Sequence, residues 1–264
     1  MKILFIGDIV GRAGRRIVNR RLPELRKKHG INFVIADAEN AADGYGLIPA
    51  MVDELGVSGV DLVSVGDHVW DRREILPALD ANPRLVRPFN YPPGAPGRGS
   101  AVCTSGGLKA GFLCAQGRVF MQKEALDDPF RNVKQEIGRL KQETPVVVVE
   151  LHAEATSEKE AFVLFLDGEA SAVIGTHTHV QTADERILPG GTAYISDAGM
   201  AGPAEGVLGF EKEGALGRFL TQVHGRLKMA PGKVKLNAVL LDIDEKSGRA
   251  QSIERIAETA EPEE

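Results

Sequence analysis

The stretch AVIGTHTH, residues 172–179, decides how this sequence is read. Small and β-branched apolar residues describe a buried strand, and it runs without a break into Thr176, His177, Thr178 and His179. Open α/β sheets place their ligands just beyond the carboxyl ends of the strands, so two histidines at i, i+2 in that position prompt a search for other strands that end in polar residues. Four do. ILFIG runs into Asp8, FVIADA into Glu39 and Asn40, LVSVG into Asp67 and His68, and VVVVEL into His152. Four of the six histidines therefore fall at strand ends, which a random scatter would not give.

Working outward, amphipathic stretches at 13–28, 49–55, 72–79, 129–142 and 158–166 alternate with short apolar runs at 2–6, 33–37, 62–65, 85–87, 146–151, 172–175 and 192–195. That alternation is expected of βα units around sheets covered on both faces. A hairpin is expected from 100–104 and 108–114 around a Ser-Gly-Gly turn. The stretch 233–244 is long enough for a strand with a bulge or bend. PFNYPPGAPGRGS, 88–100, cannot be helix or central strand and reads as a surface loop serving as a lid or a subunit contact. No repeat or linker divides the chain, so an α/β fold in one domain to about residue 256 is expected, followed by an acidic tail at 257–264.

Composition narrows the class. With 43% hydrophobic and 26% charged residues in 264, the chain is globular, and no apolar run is long enough for a membrane span. MKILFIGDIVG reads as a first strand instead of a signal peptide, which makes the cytoplasm the expected address. Cys103 and Cys114 match no CxxC pair and read as small buried hydrophobes. A net charge of −5 offers no broad basic field for nucleic acid, and a small anionic substrate would need a cation to receive it. Arg12, Arg15 and Arg16 read as solvated residues of a helix start. Aromatic residues are too few for a stacking surface, although Trp70, Phe89 and Tyr91 could hold one base near the cleft.

Taken singly, Asp8 and Glu39-Asn40 are ordinary turn chemistry, and His29 and His224 read as surface or capping residues. Together, the five strand ends would gather carboxylates, an amide and imidazoles in one cleft, which is costly unless a cation resolves the repulsion. Mixed carboxylate and imidazole donors suit iron, manganese, zinc or nickel over magnesium or calcium. In an extended His177-Thr178-His179 the imidazoles lie on one side of the chain and can face adjacent ions. So many ligands exceed the needs of one site and fit two bridged ions, a centre suited to phosphoryl transfer. A dinucleotide fingerprint fails on spacing, since Gly7, Gly11 and Gly14 give GxxxGxxG, and no P-loop segment is present. His152-Ala153-Glu154 lacks the PCxxC that would complete a deaminase zinc shell.

The strings GDIVGRAGRR (7–16), ADAENAADGYG (36–46), SVGDHVWDRRE (64–74), LHAEATSEKEA (151–161), GTHTHVQTAD (175–184) and SDAGMAGP (196–203) resemble the YmdB-like branch of the calcineurin-like metallophosphoesterases, in order and spacing, from Met1 to about Ile256. The resemblance implies a four-layer α/β/β/α sandwich of two mixed sheets and a dinuclear centre. One ion would be held by Asp8, Glu39, Asn40 and His179, the other by Asp67, His152 and His177 with Glu39 as bridge. It also implies hydrolysis of small phosphodiesters such as 2′,3′-cyclic nucleotides. Attack by a metal-held hydroxide is expected, with His68 as proton donor to the leaving oxygen. Divalent or mixed-valence iron or manganese, or zinc, are the expected ions, RNA ends a further substrate, and a homo-oligomer the expected assembly. Asp67 departs from the family, which usually carries Asn there. Its added charge should tighten the hold on the cation and weaken its Lewis acidity. Glu150, where Asp is common, is a smaller change outside the ligand set. The competing reading is a regulatory or RNA-interacting protein that keeps the metal site with weak or vestigial hydrolysis.

Overall fold

A computed structural model describes residues 1–121 and 125–262. In chain order the elements are β1 (Lys2–Ile6), β2 (Asp8–Ile9), α1 (Gly11–His29), β3 (Phe33–Asp37), α2 (Pro49–Val57) and β4 (Leu62–Ser64). After a 3-10 turn at Arg73–Ile75 come α3 (Leu76–Ala81), β5 (Leu85–Val86), β6 (Ser100–Ser105), β7 (Leu108–Gln116), α4 (Pro129–Leu140) and β8 (Val147–His152). The chain continues with α5 (Thr156–Leu166), β9 (Ala172–Thr176), β10 (Arg186–Ile187), β11 (Ala193–Ile195), β12 (Met200–Pro203), α6 (Lys212–Thr221), β13 (Val234–Ile243) and β14 (Ala250–Ala260).

The strands form two mixed sheets. The first runs β2-β12-β13-β1-β3-β4-β5 with β14 against β13, and the second runs β10-β11-β9-β8-β7-β6. Within each sheet the strands that end in polar residues are parallel neighbours: β1, β3 and β4 in the first, β8 and β9 in the second. Their carboxyl ends therefore share one edge of each sheet.

Side-chain alternation sorts the core into layers. Ile3 and Phe5 of β1 point between the sheets, where they meet Phe112, Cys114, Val148 and Ile174. Phe5 and Phe112 stack with ring centroids 6.3 Å apart. The alternate residues Leu4 and Ile6 point outward against Ile17, Val18 and Leu22 of α1 and Leu55 of α2. On the far face of the second sheet, Val147 and Val149 pack under Ile137 of α4 and Phe162 of α5. The result is the expected α/β/β/α sandwich, covered on both outer faces as near-continuous apolar strands require.

Several details differ from the sequence reading. β14 pairs with β13 as far as Ala260, so 257–260 continue a strand and are no tail; 263 and 264 lie outside the described residues. Polar residues on the exposed face of this edge strand hide its period. The ladder slips between Asp242 and Ile243, which supplies the bulge expected in 233–244. The 88–100 segment is fastened down. The buried Arg87 guanidinium donates to the carbonyls of Pro88, Ala95, Pro96 and Gly97, at 2.7, 3.0, 2.8 and 3.2 Å. That clasp argues against a hinged lid. No helix among the described residues is long and apolar enough to cross a membrane.

Candidate metal centre

The edges of the two sheets meet at the residues that end β1, β3, β4, β8 and β9. Asp8, Glu39, Asn40 and His152 are all buried there. One ligand atom from each of Glu39, Asp67, His152 and His177 lies within 4.8 Å of the others. His152 Nε2 is the hub, 3.0 Å from Asp67 Oδ1, 3.2 Å from Glu39 Oε1 and 3.0 Å from His177 Nδ1. Beside this group, Asn40 Nδ2 is 3.4 Å from Asp8 Oδ1, 3.1 Å from Glu39 Oε1 and 3.3 Å from His179 Nε2. His179 Nε2 in turn lies 3.5 Å from Asp8 Oδ1. Glu39 touches both groups.

The His177-Thr178-His179 segment is not extended. β9 stops at Thr176, and His177 and His179 take φ of 95° and 64°, which few non-glycine residues adopt. This turn sends the imidazoles to different groups, His177 toward His152 and His179 toward Asp8. Asp197 holds it, accepting the N–H and hydroxyl of Thr178 at 3.0 and 2.8 Å. Lys159 Nζ reaches the same carboxylate oxygen at 3.0 Å. His177 N–H donates to Asp8 Oδ2 at 3.3 Å.

The orientation of His152 fits a metal ligand. Its Nδ1 lies 3.2 Å from Asp37 Oδ2 and 3.0 Å from Thr176 Oγ1, which leaves Nε2 to face the cluster. Backing of a ligating imidazole by a carboxylate is the usual way its ring is fixed. Electrostatics points the same way. Burial opposes ionisation of Asp8 and Asp67, but the imidazoles around them hold both carboxyls below their ordinary range. Burial likewise opposes protonation of His152 and His179, yet the charges of Glu39 and Asp8 push them upward. The cluster thus demands positive charge, as a cation site would. Asp37 behaves differently: burial and the nearby charges of Asp8 and Glu150 raise its pKa well above the carboxylate range.

His68 sits at the rim. Its backbone N–H donates to Glu39 Oε2 at 3.1 Å, and its ring Nδ1 pairs with Asp71 Oδ2 at 2.8 Å. Burial lowers its pKa, but the charges of Glu39 and Asp67 and the bond to Asp71 leave it raised.

All eight residues singled out in the sequence, Asp8, Glu39, Asn40, Asp67, His68, His152, His177 and His179, are brought to this one edge. Sequence reasoning passed over Asp37, Asp71, Lys159 and Asp197. Asp37 had a signal, since a carboxylate inside the apolar run FVIAD must find a buried partner. Asp71 had another, three residues beyond His68. The base-holding trio does not assemble: Trp70 packs against Tyr91 with ring centroids 5.2 Å apart, Tyr91 belongs to the core and Phe89 packs on the far layer. Arg15 is committed to Glu54 and to the Ala41 carbonyl, so it is not a solvated residue.

Two back-to-back mixed sheets flanked by helices, with acidic and imidazole side chains gathered where their parallel strands end, define the metallophosphoesterase type of fold. A 5′-nucleotidase crystal structure from Candida albicans shares this fold, with a TM-score of 0.56 at 11% identity over 97% of this chain and 50% of that one. The chain belongs to the YmdB-like protein family, whose model matches residues 4–256. It is 46% identical, over 97% of its length and 96% of the relative, to a Bacillus subtilis protein named 2′,3′-cyclic-nucleotide 2′-phosphodiesterase. It is 34% identical to a putative phosphatase/phosphodiesterase of Mycoplasma genitalium, over 97% of this chain and 92% of the relative. A crystal structure of a hypothetical protein from Thermus thermophilus superposes with a TM-score of 0.91 at 44% identity, covering 99% of this chain and 100% of that one.

Proposed function

We propose that the protein is a metal-dependent phosphodiesterase that opens 2′,3′-cyclic nucleotides at the 2′ bond. The observation that carries this reading is the convergence of Glu39, Asp67, His152 and His177 around His152 Nε2, with Asp8, Asn40 and His179 alongside. The name of the Bacillus subtilis relative supports the substrate class. In this reading Asp8, Glu39, Asn40 through its amide oxygen, and His179 would hold one ion, and Asp67, His152 and His177 together with Glu39 would hold the other. When bound, two divalent or mixed-valence ions of iron, manganese or zinc supply positive charge for the phosphate oxygens and acidify water enough to provide a nucleophile near neutral pH.

The chain's own residues orient and move protons. Asp37 and Thr176 fix the His152 ring through Nδ1. Asp71 fixes His68 in the same way, which leaves His68 Nε2 for the substrate. As the oxygen of a water that has given up one proton to solvent joins phosphorus and the bond from phosphorus to O2′ breaks, a proton on His68 Nε2 passes to O2′, leaving a 3′-phosphate. Asp71 is the positioning residue for this step.

The test compares turnover of 2′,3′-cyclic AMP by wild type and His68→Ala, with metal content measured in both. Turnover should fall by about 10²- to 10⁴-fold with metal retained. Equal activity would remove His68 from the mechanism. No turnover by wild type loaded with iron, manganese or zinc would overturn the proposal.

A further inference from the structure

We propose that Tyr45 and Phe210 form the nucleobase subsite of this centre, an inference that rests on the cyclic-nucleotide reading above. Tyr45 stands edge-on to His68, with ring centroids 5.4 Å apart and planes at 85°. Phe210 continues the wall, 6.2 Å from Tyr45 with planes at 32°. Both side chains are half-buried, so they stay partly open to solvent at the mouth of the site. Trp70 and Tyr91, by contrast, meet edge to face with ring centroids 5.2 Å apart and pack on the core.

The wall is rigid. Arg72 donates to the carbonyls of Tyr45 and Ala42 at 3.1 and 3.2 Å and clamps the loop that carries Tyr45. Gly44 and Gly46 flank that ring with φ of 91° and 77°. A Cβ on Gly44 would lie 2.9 Å from Phe210 Cζ, so only glycine lets the loop approach Phe210 this closely. Phe210 is fixed by reciprocal backbone bonds with Val207 and by a bridge to Met229. Rings held in place before a ligand arrives stack on it with little ordering cost.

Ribose chemistry puts the base on this wall. The 2′ oxygen and the glycosidic bond sit on adjacent carbons of one ring. A substrate that presents its 2′ oxygen to His68 therefore carries its base next to His68, where Tyr45 stands. Every base has a π-face, so the subsite accepts purines and pyrimidines alike.

The experiment compares kcat/KM for 2′,3′-cyclic AMP with that for glycerol 1,2-cyclic phosphate, a five-membered cyclic phosphodiester without a base. Wild type should prefer the nucleotide. Tyr45→Ala and Phe210→Ala should each reduce that preference roughly ten-fold, and Tyr45→Phe should keep it. Binding of 2-aminopurine riboside 3′-monophosphate should quench its fluorescence in wild type and much less in the two alanine variants. Turnover of both substrates with the same ratio in wild type and alanine variants, or no quenching by wild type, would overturn the subsite alone. Failure of metal-loaded wild type to turn over either substrate would overturn the phosphodiesterase reading, and the subsite with it.

Discussion

Lys159 and Asp197 form an ion pair at 3.0 Å with side chains only 3% and 1% exposed, and the Asp197 oxygen in that pair also receives the N–H and hydroxyl of Thr178. The pair thus fixes the turn whose two histidines reach the candidate metal centre at positive φ. Removing one partner of a buried pair leaves an uncompensated charge. Lys159→Met and Asp197→Asn should each cost about 3–5 kcal/mol in urea unfolding, and each should weaken metal binding in a chelator competition. A loss of stability with unchanged metal affinity would uncouple the pair from the turn.

Gly66 lies under the hub imidazole. A Cβ there would stand 2.4 Å from His152 Cδ2, a distance that forces the ring to move. Because Asp37 and Thr176 fix that ring from behind, Gly66→Ala should expel metal while far-UV circular dichroism stays native. Full metal occupancy in this variant would show that the ring can shift without consequence.

Asp67 places a charged oxygen 3.0 Å from His152 Nε2 and 3.4 Å from His177 Nδ1. Asp67→Asn removes that charge, so affinity for manganese should fall by of order ten-fold, and turnover at saturating metal should rise. Affinity that does not change, by isothermal titration, would remove this carboxylate from the ligand set.

Ligands that bind only the folded chain stabilise it by mass action, about 2.7 kcal/mol at one hundred times the dissociation constant. Manganese added to chelator-treated protein should therefore raise Tm in scanning fluorimetry. Glu39→Ala and His177→Ala should lose most of that rise. Two ions retained after both changes would contradict the assigned ligands.

Acid sensitivity has a contributor away from the centre. Burial works against ionisation of Asp184, but the Ser196 N–H, donating at 3.1 Å, and the Thr182 and Ser196 hydroxyls hold its carboxyl below the ordinary range. A carboxyl lowered in the folded state adds stability above its unfolded pKa and loses it as pH falls through the folded value. The stability gap between wild type and Asp184→Asn should hold above about pH 5 and shrink below about pH 4. A gap that stays constant down to pH 2 would refute the assignment.

Much of this was legible in order along the chain. Apolar runs broken by Asp8, Glu39-Asn40, Asp67-His68, His152 and His177-His179 announce strands, their type and their polar ends, because a buried parallel strand needs unbroken apolar sequence and its end does not. Other features left little trace. β14 alternates polar residues on an exposed face, and Tyr45 and Phe210 are distant in sequence and ordinary in type.

By itself, the sequence determined which residues could carry the chemistry and that they stand at strand ends, since hydrophobic period is a local property. Only the tertiary structure decided that β1, β3 and β4 belong to one sheet and β8 and β9 to another, and that the residues ending the strands of the two sheets meet. It also decided that His177 and His179 diverge. Strand pairing and turn strain are settled by contacts between residues far apart in the chain, such as Lys159 with Asp197 and Asp37 with His152, and no local pattern encodes them.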